Sequence, residues 1–362
     1  MDMYLFGKIS ELFESIFPNM GYFSVRPHNL RFSAIGLGLL VCVVTIADVG
    51  AQDTARFGFT RYLMGTEVKI LLYAVDSTEA AGAARQAFNH ISELNEQLSD
   101  YLIDSEVSRL SKTRGQPIAV GENLWNVLIT GQKIAQASEG SFDVTVGPLT
   151  LLWRKAMRRA TLPDSVELTN ALAAVGYGFL EMDANNRTVQ LNGENMRLDL
   201  GGIAKGYAAD EALKTLVKAD FASAAVDIGG DIAIGNAPPG LDGWPVEVFT
   251  LNTENELETE KLTLMNCGIA VSGDTYRYLE YDGIKYSHII NPRTGYGVKH
   301  ERRVAVIAPS AMIADAWASA YSVMAWESAI SDANDRANVS TRIVEHRESG
   351  LQEVNTGKFL HD

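Results

Sequence analysis

An α+β fold follows from three features of the sequence. Runs of alternating apolar and polar residues, which suit half-buried strands, are interrupted by stretches with apolar residues at helical spacing. Turn dipeptides such as Asn192-Gly193 and Asp282-Gly283 sit beside strand-like runs, as antiparallel pairing requires. No repeat, low-complexity tract or Pro/Gly-rich linker splits the chain. The expectation is mixed or antiparallel sheets with packed helices, in two closely joined subdomains.

The elements are read in order. Residues 57–75 alternate around Met64-Gly65-Thr66 and predict strand, turn, strand. Asp76 with Glu79 three residues on resembles a capping box, and Ala84, Phe88, Ile91, Leu94 and Leu98 then mark one helix face. A loop at Ser99-Asp100-Tyr101 precedes a second helix start at Asp104-Ser105-Glu106. Another helix is expected from Asn123 to Ser138, stopping at Gly140, and helical spacing ends over Gly140–Leu149. A short helix is expected at 165–175, and a hairpin from Thr188 to Arg197 turning at Asn192-Gly193. The run Leu198–Asp210 then feeds a helix to about Ala219. Strands follow at Ser223–Ile228 and Trp244–Phe249, and successive strands between Asn266 and Val306. Ala311–Trp326 reads as a helix, and the tail beyond Ser328 shows little pattern.

The N-terminus stands apart from this scheme. Arg26 and Arg31 precede an uncharged run from Phe32 to Ala47, and Val49-Gly50-Ala51 offers small residues for cleavage. The run is shorter than the roughly 20 residues a spanning helix needs. Residues 1–51 are therefore expected to be a signal peptide, with Met20 as a start of ordinary proportions, or a retained signal anchor. Either way the mature chain is expected to be exported to the periplasm, free or tethered to the inner membrane. Cys42 follows Val41, a poor residue before a lipidated cysteine. Cleavage would leave Cys267 as the only cysteine, with no intramolecular disulfide.

Composition narrows the partners. The 362 residues are 46% hydrophobic and 21% charged, an ordinary globular balance, with a formal net charge of −14. That field argues against nucleic acid as a partner. An anionic ligand would need local N–H groups, a lysine or a cation to overcome it.

Several segments carry such groups. Leu198-Asp199-Leu200-Gly201-Gly202-Ile203-Ala204-Lys205-Gly206 is a glycine turn entering a helix. There backbone N–H groups and an ammonium can meet a phosphate. Gly-rich strand-to-helix turns also serve packing alone, so the motif is only moderately specific. Asp315 and Ser319, four residues apart, share a helix face and offer hard oxygens to Mg²⁺, which takes few protein ligands. A helix-start acid with a back-bonded serine would look the same. His288, before Asn291-Pro292-Arg293-Thr294-Gly295, is placed at a strand end where it could act as a base. Gly229-Gly230-Asp231 and Ser272-Gly273-Asp274 are weaker turn signals. The other histidines show no zinc spacing, and G-x-G-x-x-G after the first strand, G-x-x-x-x-G-K-[ST] and G-x-S-x-G are absent.

Taken in order, these segments resemble the ApbE family, the FAD:protein FMN transferases once called thiamine biosynthesis lipoproteins. The matching pieces are Met64-Gly65-Thr66, Ser99-Asp100-Tyr101 with Ser105-Glu106, Gly140–Leu149, Asp199–Gly206, Ser272-Gly273-Asp274, His288–Gly295 and Ala314-Asp315-Ala316. The resemblance covers about residues 58–327 and implies a single flavin transferase domain within 52–362. It implies FAD as substrate, Mg²⁺ as cofactor, and transfer of FMN to a Thr or Ser hydroxyl of an acceptor protein with release of AMP. The acceptor is typically a subunit of a membrane redox complex. Carried over by position, Met64, Tyr101, Ser141, Phe142, Asp143, Asp199, Lys205 and Ile290 would bind the nucleotide. Asp315, Ser319 and the Gly202 carbonyl would hold the metal, and His288 would be the base. Two departures stand out: Ser319 where the family often has Thr, and Asn291 where many members have Asp. A Mg²⁺-dependent FAD pyrophosphatase and a periplasmic FAD-binding protein are the alternative readings of the same residues.

Overall fold

In the computed structural model, which describes residues 54–113, 115–273 and 278–359, an eight-stranded sheet carries the fold. The expected leader, with Met20 and Cys42, lies outside the described residues, as does Asp274. The sheet runs in the order β1 (Ala55–Leu63), β2 (Thr66–Ala74), β6 (Ala224–Ile228), β7 (Asp231–Ile234), β10 (Cys267–Gly273), β13 (Arg302–Ala308), β14 (Ser340–Arg347) and β15 (Gly350–Asn355). Every neighbouring pair in it is antiparallel. The first hairpin turns through Met64 (φ 51°) and Gly65 (φ 75°), both left-handed, as a two-residue turn matched to strand twist demands.

Both faces of the sheet are covered, and the period-2 alternation of its strands decides which residue goes where. In β2, Val68, Ile70 and Leu72 face the main core, made with helices α1 (Ser77–Leu98), α6 (Ala204–Lys218) and α7 (Ala311–Val323). Leu71 faces the opposite way. It joins Ile232, Ile234, Ile269 and Ile307 under the hairpin β8 (Trp244–Leu251) and β9 (Leu257–Leu264). Each such fully buried aliphatic side chain stabilises by about 1.5–3 kcal/mol before entropy is counted. The main core also takes in helix α3 (Glu122–Ala137) and a three-stranded sheet of β3 (Ile118–Ala119), β5 (Thr188–Leu191) and β4 (Leu180–Asp183). A third cluster joins Leu149 and Trp153 of α4 (Gly147–Arg159) to Leu168 of α5 (Ser165–Ala173). It also includes Leu279 and Tyr286 of the hairpin β11 (Tyr278–Tyr281) and β12 (Ile284–Ser287), together with Ile290.

Helix starts follow the sequence signals. The Asp76 carboxylate accepts from the Thr78 and Glu79 N–H groups at 2.8 and 2.9 Å, capping α1. Ser105 caps the short α2 (Glu106–Leu110) through the Ser108 N–H. The start of α7 is held twice. Ser310 Oγ accepts from Ile313, and the Asp210 carboxylate accepts from the Ala311 and Met312 N–H groups at 2.8 and 2.9 Å. Two glycines let that turn approach its neighbours: a Cβ on Gly206 would lie 2.3 Å from the Ala311 carbonyl oxygen, and one on Gly268 would lie 2.0 Å from the Ala311 nitrogen. Backbone therefore packs on backbone where α6, α7 and β10 meet.

Three expectations need correction. The hairpin expected over Thr188–Arg197 does not form; β5 pairs back with β4 instead. The Asp183 carboxylate accepts from the Asn185 N–H and the Asn186 side chain, building the turn on the other side of β5. Helix α4 begins at Gly147, inside the stretch where helical spacing was read as ending, with Pro148 in its first turn. The tail beyond Ser328 is ordered: α8 (Trp326–Asp335) is followed by β14 and β15 at the edge of the main sheet. Strand β14 was invisible to hydropathy because its buried residues include Ser340, Thr341, Arg342 and Glu345. Arg342 pairs with Glu260 at 2.6 Å and donates to the Asn355 side chain and the Phe249 carbonyl.

Candidate active site

All twelve residues carried over from the family lie on one cavity of ≈ 490 Å³, although they come from six separated segments. Each segment reaches the cavity for a local reason. Met64 is presented by the first hairpin turn. Tyr101 stands 72% exposed on the loop after α1. Ser141, Phe142 and Asp143 lie in the loop between α3 and α4. His288 and Ile290 follow β12, with the His288 side chain exposed and Ile290 buried in the third cluster.

The glycine turn forms one wall. The Asp199 carboxylate accepts from the Gly201 N–H at 2.8 Å through one oxygen. Its other oxygen accepts from Thr150 Oγ1 at 2.7 Å and from Arg154 at 2.8 Å. The turn opens into α6, so Gly201, Gly202 and Ala204 bring a helix N-terminus to the cavity. Lys205 sits in the first turn of that helix rather than before it.

Lys205 is not an isolated charge. Its ammonium is ion-paired with the Asp231 carboxylate, which is buried on β7. Burial alone would lower the Lys205 pKa, but Asp231 overrides it and holds the ammonium above the usual lysine range. Asp231 lies beside Asp315 on α7, and that carboxyl is pushed up to about 8, by burial first and by Asp231 second. Asp227, whose side chain caps the Gly230 N–H, is also raised by burial, to about 6. Asp231, Asp315 and Lys205 thus crowd one end of the cavity, with Asp227 close to Asp231 and Lys205. A cation there would offset their mutual repulsion.

The oxygens suit a hard cation. A Cβ on Gly202 would lie 2.7 Å from Ser319 Oγ, so the glycine turn and the Ser319 hydroxyl meet without room for a side chain. Asp315 stands one helical turn before Ser319 and is 5% exposed. Among the described residues no group of three His, Cys, Asp or Glu side chains could hold a metal. A donor set would have to come instead from the Gly202 carbonyl, the Ser319 hydroxyl and the Asp315 carboxylate. That set fits Mg²⁺, which completes its shell with water and phosphate oxygens.

Other expected residues are committed to the scaffold. Asp143 accepts from the Thr145 N–H and hydroxyl through one oxygen and from the Tyr177 N–H through the other, so its carboxylate fastens the loop that carries Phe142. Ser141 takes a hydrogen bond from Arg293 at 2.5 Å, and Trp153 Nε1 donates to the Gly295 carbonyl at 2.7 Å. The loop after His288 is thereby tied to two sides of the cavity. Asn291 holds that loop's turn: its side-chain oxygen accepts from the Arg293 and Thr294 N–H groups at 2.9 and 3.3 Å. An aspartate would accept the same bonds, so the turn does not require a charge at this position.

Sequence reasoning missed Thr150 and Arg154 and, in their roles, Asp100 and Asp231. Asp231 could have been found, since it follows the noted Gly229-Gly230 turn. Thr150 and Arg154 could not, because the helix that aims them was not foreseen.

Known proteins resemble this chain over most of its length. The profile described as the ApbE family matches residues 64–343. A protein of Treponema pallidum (strain Nichols) named FAD:protein FMN transferase is 29% identical over 309 residues, covering 80% of this chain and 85% of its own length. One of Vibrio cholerae serotype O1 with the same name is 30% identical over 275 residues, covering 74% of this chain and 81% of its own length. The solved flavin transferase ApbE from Vibrio cholerae superposes with a TM-score of 0.76 at 27% identity, covering 85% of this chain and 99% of that one. The profile match runs from the first hairpin turn into β14 and takes in the glycine turn and α7: this chain belongs to the ApbE family.

Proposed function

We propose that this protein transfers FMN from FAD to a Thr or Ser hydroxyl of an acceptor protein, in a Mg²⁺-dependent reaction that releases AMP. The observation that carries the reading is the convergence of Gly202, Asp315, Ser319, Lys205 and His288 on one cavity. It unites an oxygen donor set, a helix N-terminus and a base at the same opening. The names of the relatives support FAD as the flavin donor.

The residues divide the work. The N-terminus of α6 and the Lys205 ammonium would bind pyrophosphate oxygens. Asp315, Ser319 and the Gly202 carbonyl would hold Mg²⁺, which supplies charge neutralisation on the pyrophosphate and on the departing AMP. His288 takes the proton of the acceptor hydroxyl as its oxygen attacks the FMN phosphorus. The bond from that phosphorus to the AMP oxygen breaks, and the electron pair leaves with AMP. The leader pattern at 1–51 supports export to the periplasm, where the acceptor would be a subunit of a membrane redox complex.

The test is a denaturing gel of mature protein, FAD, Mg²⁺ and a candidate acceptor. Flavin fluorescence should stay on the acceptor band and vanish when a chelator replaces Mg²⁺. Free FMN and AMP formed equally fast without any acceptor would instead identify a pyrophosphatase, in which water takes the place of the hydroxyl.

A further inference from the structure

Helix α4 turns one face to the cavity. Thr150, Trp153, Arg154 and Met157, at spacings of three and four, all line it. Arg154 is the hub of this face. One nitrogen of its guanidinium donates to Asp100 at 2.5 Å, and the other donates to Asp199 at 2.8 Å and reaches the second Asp100 oxygen at 3.5 Å. The guanidinium carbon also lies 4.0 Å from the centroid of the Tyr101 ring. Both carboxylate side chains are only 7% exposed. Arg197 closes the set by donating to the Asp100 carbonyl at 2.5 Å.

We propose that Arg154 is a positioning residue for FAD: it fixes the Tyr101 ring and the Asp199 carboxylate as one preformed wall of the ligand site. Only a planar, forked cation does this. It bridges two buried carboxylates that would otherwise repel, and it offers a flat face on which an exposed aromatic ring stacks. Among the described residues no other cation–π or ring contact supports Tyr101, which stands on a loop, 72% exposed. Lysine keeps the charge but cannot bridge both acids and stack at once. Ordering this wall beforehand saves that cost when FAD binds, so the effect falls on affinity rather than on chemistry. Asp315 and His288 reach the cavity from other elements.

The inference rests on FAD as ligand, so binding and transfer are measured separately. Flavin fluorescence on titration gives the FAD Kd of wild type, Arg154→Lys, Tyr101→Leu and the double variant; steady-state transfer gives KM and kcat. Arg154→Lys should raise Kd and KM by about tenfold or more and leave kcat within about threefold. Adding Arg154→Lys to Tyr101→Leu should cost much less than the product of the two single effects, because both remove the same stack. Wild-type Kd in Arg154→Lys, a fall confined to kcat, or fully multiplicative losses would overturn the proposal. Arg154→Met leaves two buried acids uncompensated and serves only as a stability control; the Lys variant, at wild-type Tm, carries the test. Tight FAD binding by wild type with no transfer would sink the transferase reading, while the Kd comparison would still decide the role of Arg154.

Discussion

The Ser319 hydroxyl occupies the space that a side chain on Gly202 would need: the added Cβ would lie 2.7 Å away. Glycine is therefore required at 202 by its neighbour and not by its own backbone, which is not among the positive-φ positions. Gly202→Ala should push Ser319 aside, cost about 1–3 kcal/mol in urea unfolding and remove most transfer. Combining it with Ser319→Ala should restore stability but not activity. Recovery of both would show that the hydroxyl is not needed.

Asp315→Ala should abolish covalent flavin transfer, by about a hundredfold or more, while circular dichroism remains native. Mg²⁺ titration of the residual activity should show a weakened requirement. Full activity with Mg²⁺ present would refute the assignment of this carboxylate to the metal.

His288 is exposed and lines the cavity, so its removal should leave the fold intact. His288→Ala is expected to lower kcat by about a hundredfold and to change FAD affinity by less than about threefold. Equal losses in both quantities would make it a positioning residue instead of a base.

Asn291 acts as a hydrogen-bond acceptor for its turn. Asn291→Asp should keep transfer within about threefold, and Asn291→Ala should lower it by about tenfold through loosening of the loop behind His288. A strong gain in the Asp variant would show that the charge matters to the chemistry after all.

Asp210 caps the helix that carries Asp315, and burial pushes its carboxyl up to about 6 from an ordinary 3.8. Between those values the folded chain holds a proton that the unfolded chain has released. This group's contribution to stability is therefore present at the acid end and lost as pH rises through about 6. Asp210→Asn, which does not titrate, should gain on wild type across that window by on the order of 3 kcal/mol. A difference that stays constant from pH 4 to pH 7 would show no such coupling.

Much of this architecture was legible because local signals and burial agreed. Asp76 and Glu79 marked α1, and its apolar stripe is the face that is buried. The glycine turn was legible because its neighbours in the cavity are brought by recognisable motifs. What failed did so where polar residues are buried: β14 hides Arg342 and Glu345, which no hydropathy pattern assigns to a core. The same holds in the site. Arg154 and Asp100 are hydrogen-bonded but lie 54 residues apart; Asp100 stood in the Ser99-Asp100-Tyr101 motif without a role, and Arg154 carries no signal until α4 is in place.

The seating of α7 on Gly206 and Gly268 gives the cavity two ends of different character. The end holding Asp315 is set by main-chain contact, so its dimensions are inherited with the fold and leave little for side-chain substitution to adjust. The end holding Tyr101 is assembled from side chains on a loop and on α4, each replaceable without moving a strand. Variation in what is recognised can accumulate at the second end while the geometry of the first stays fixed.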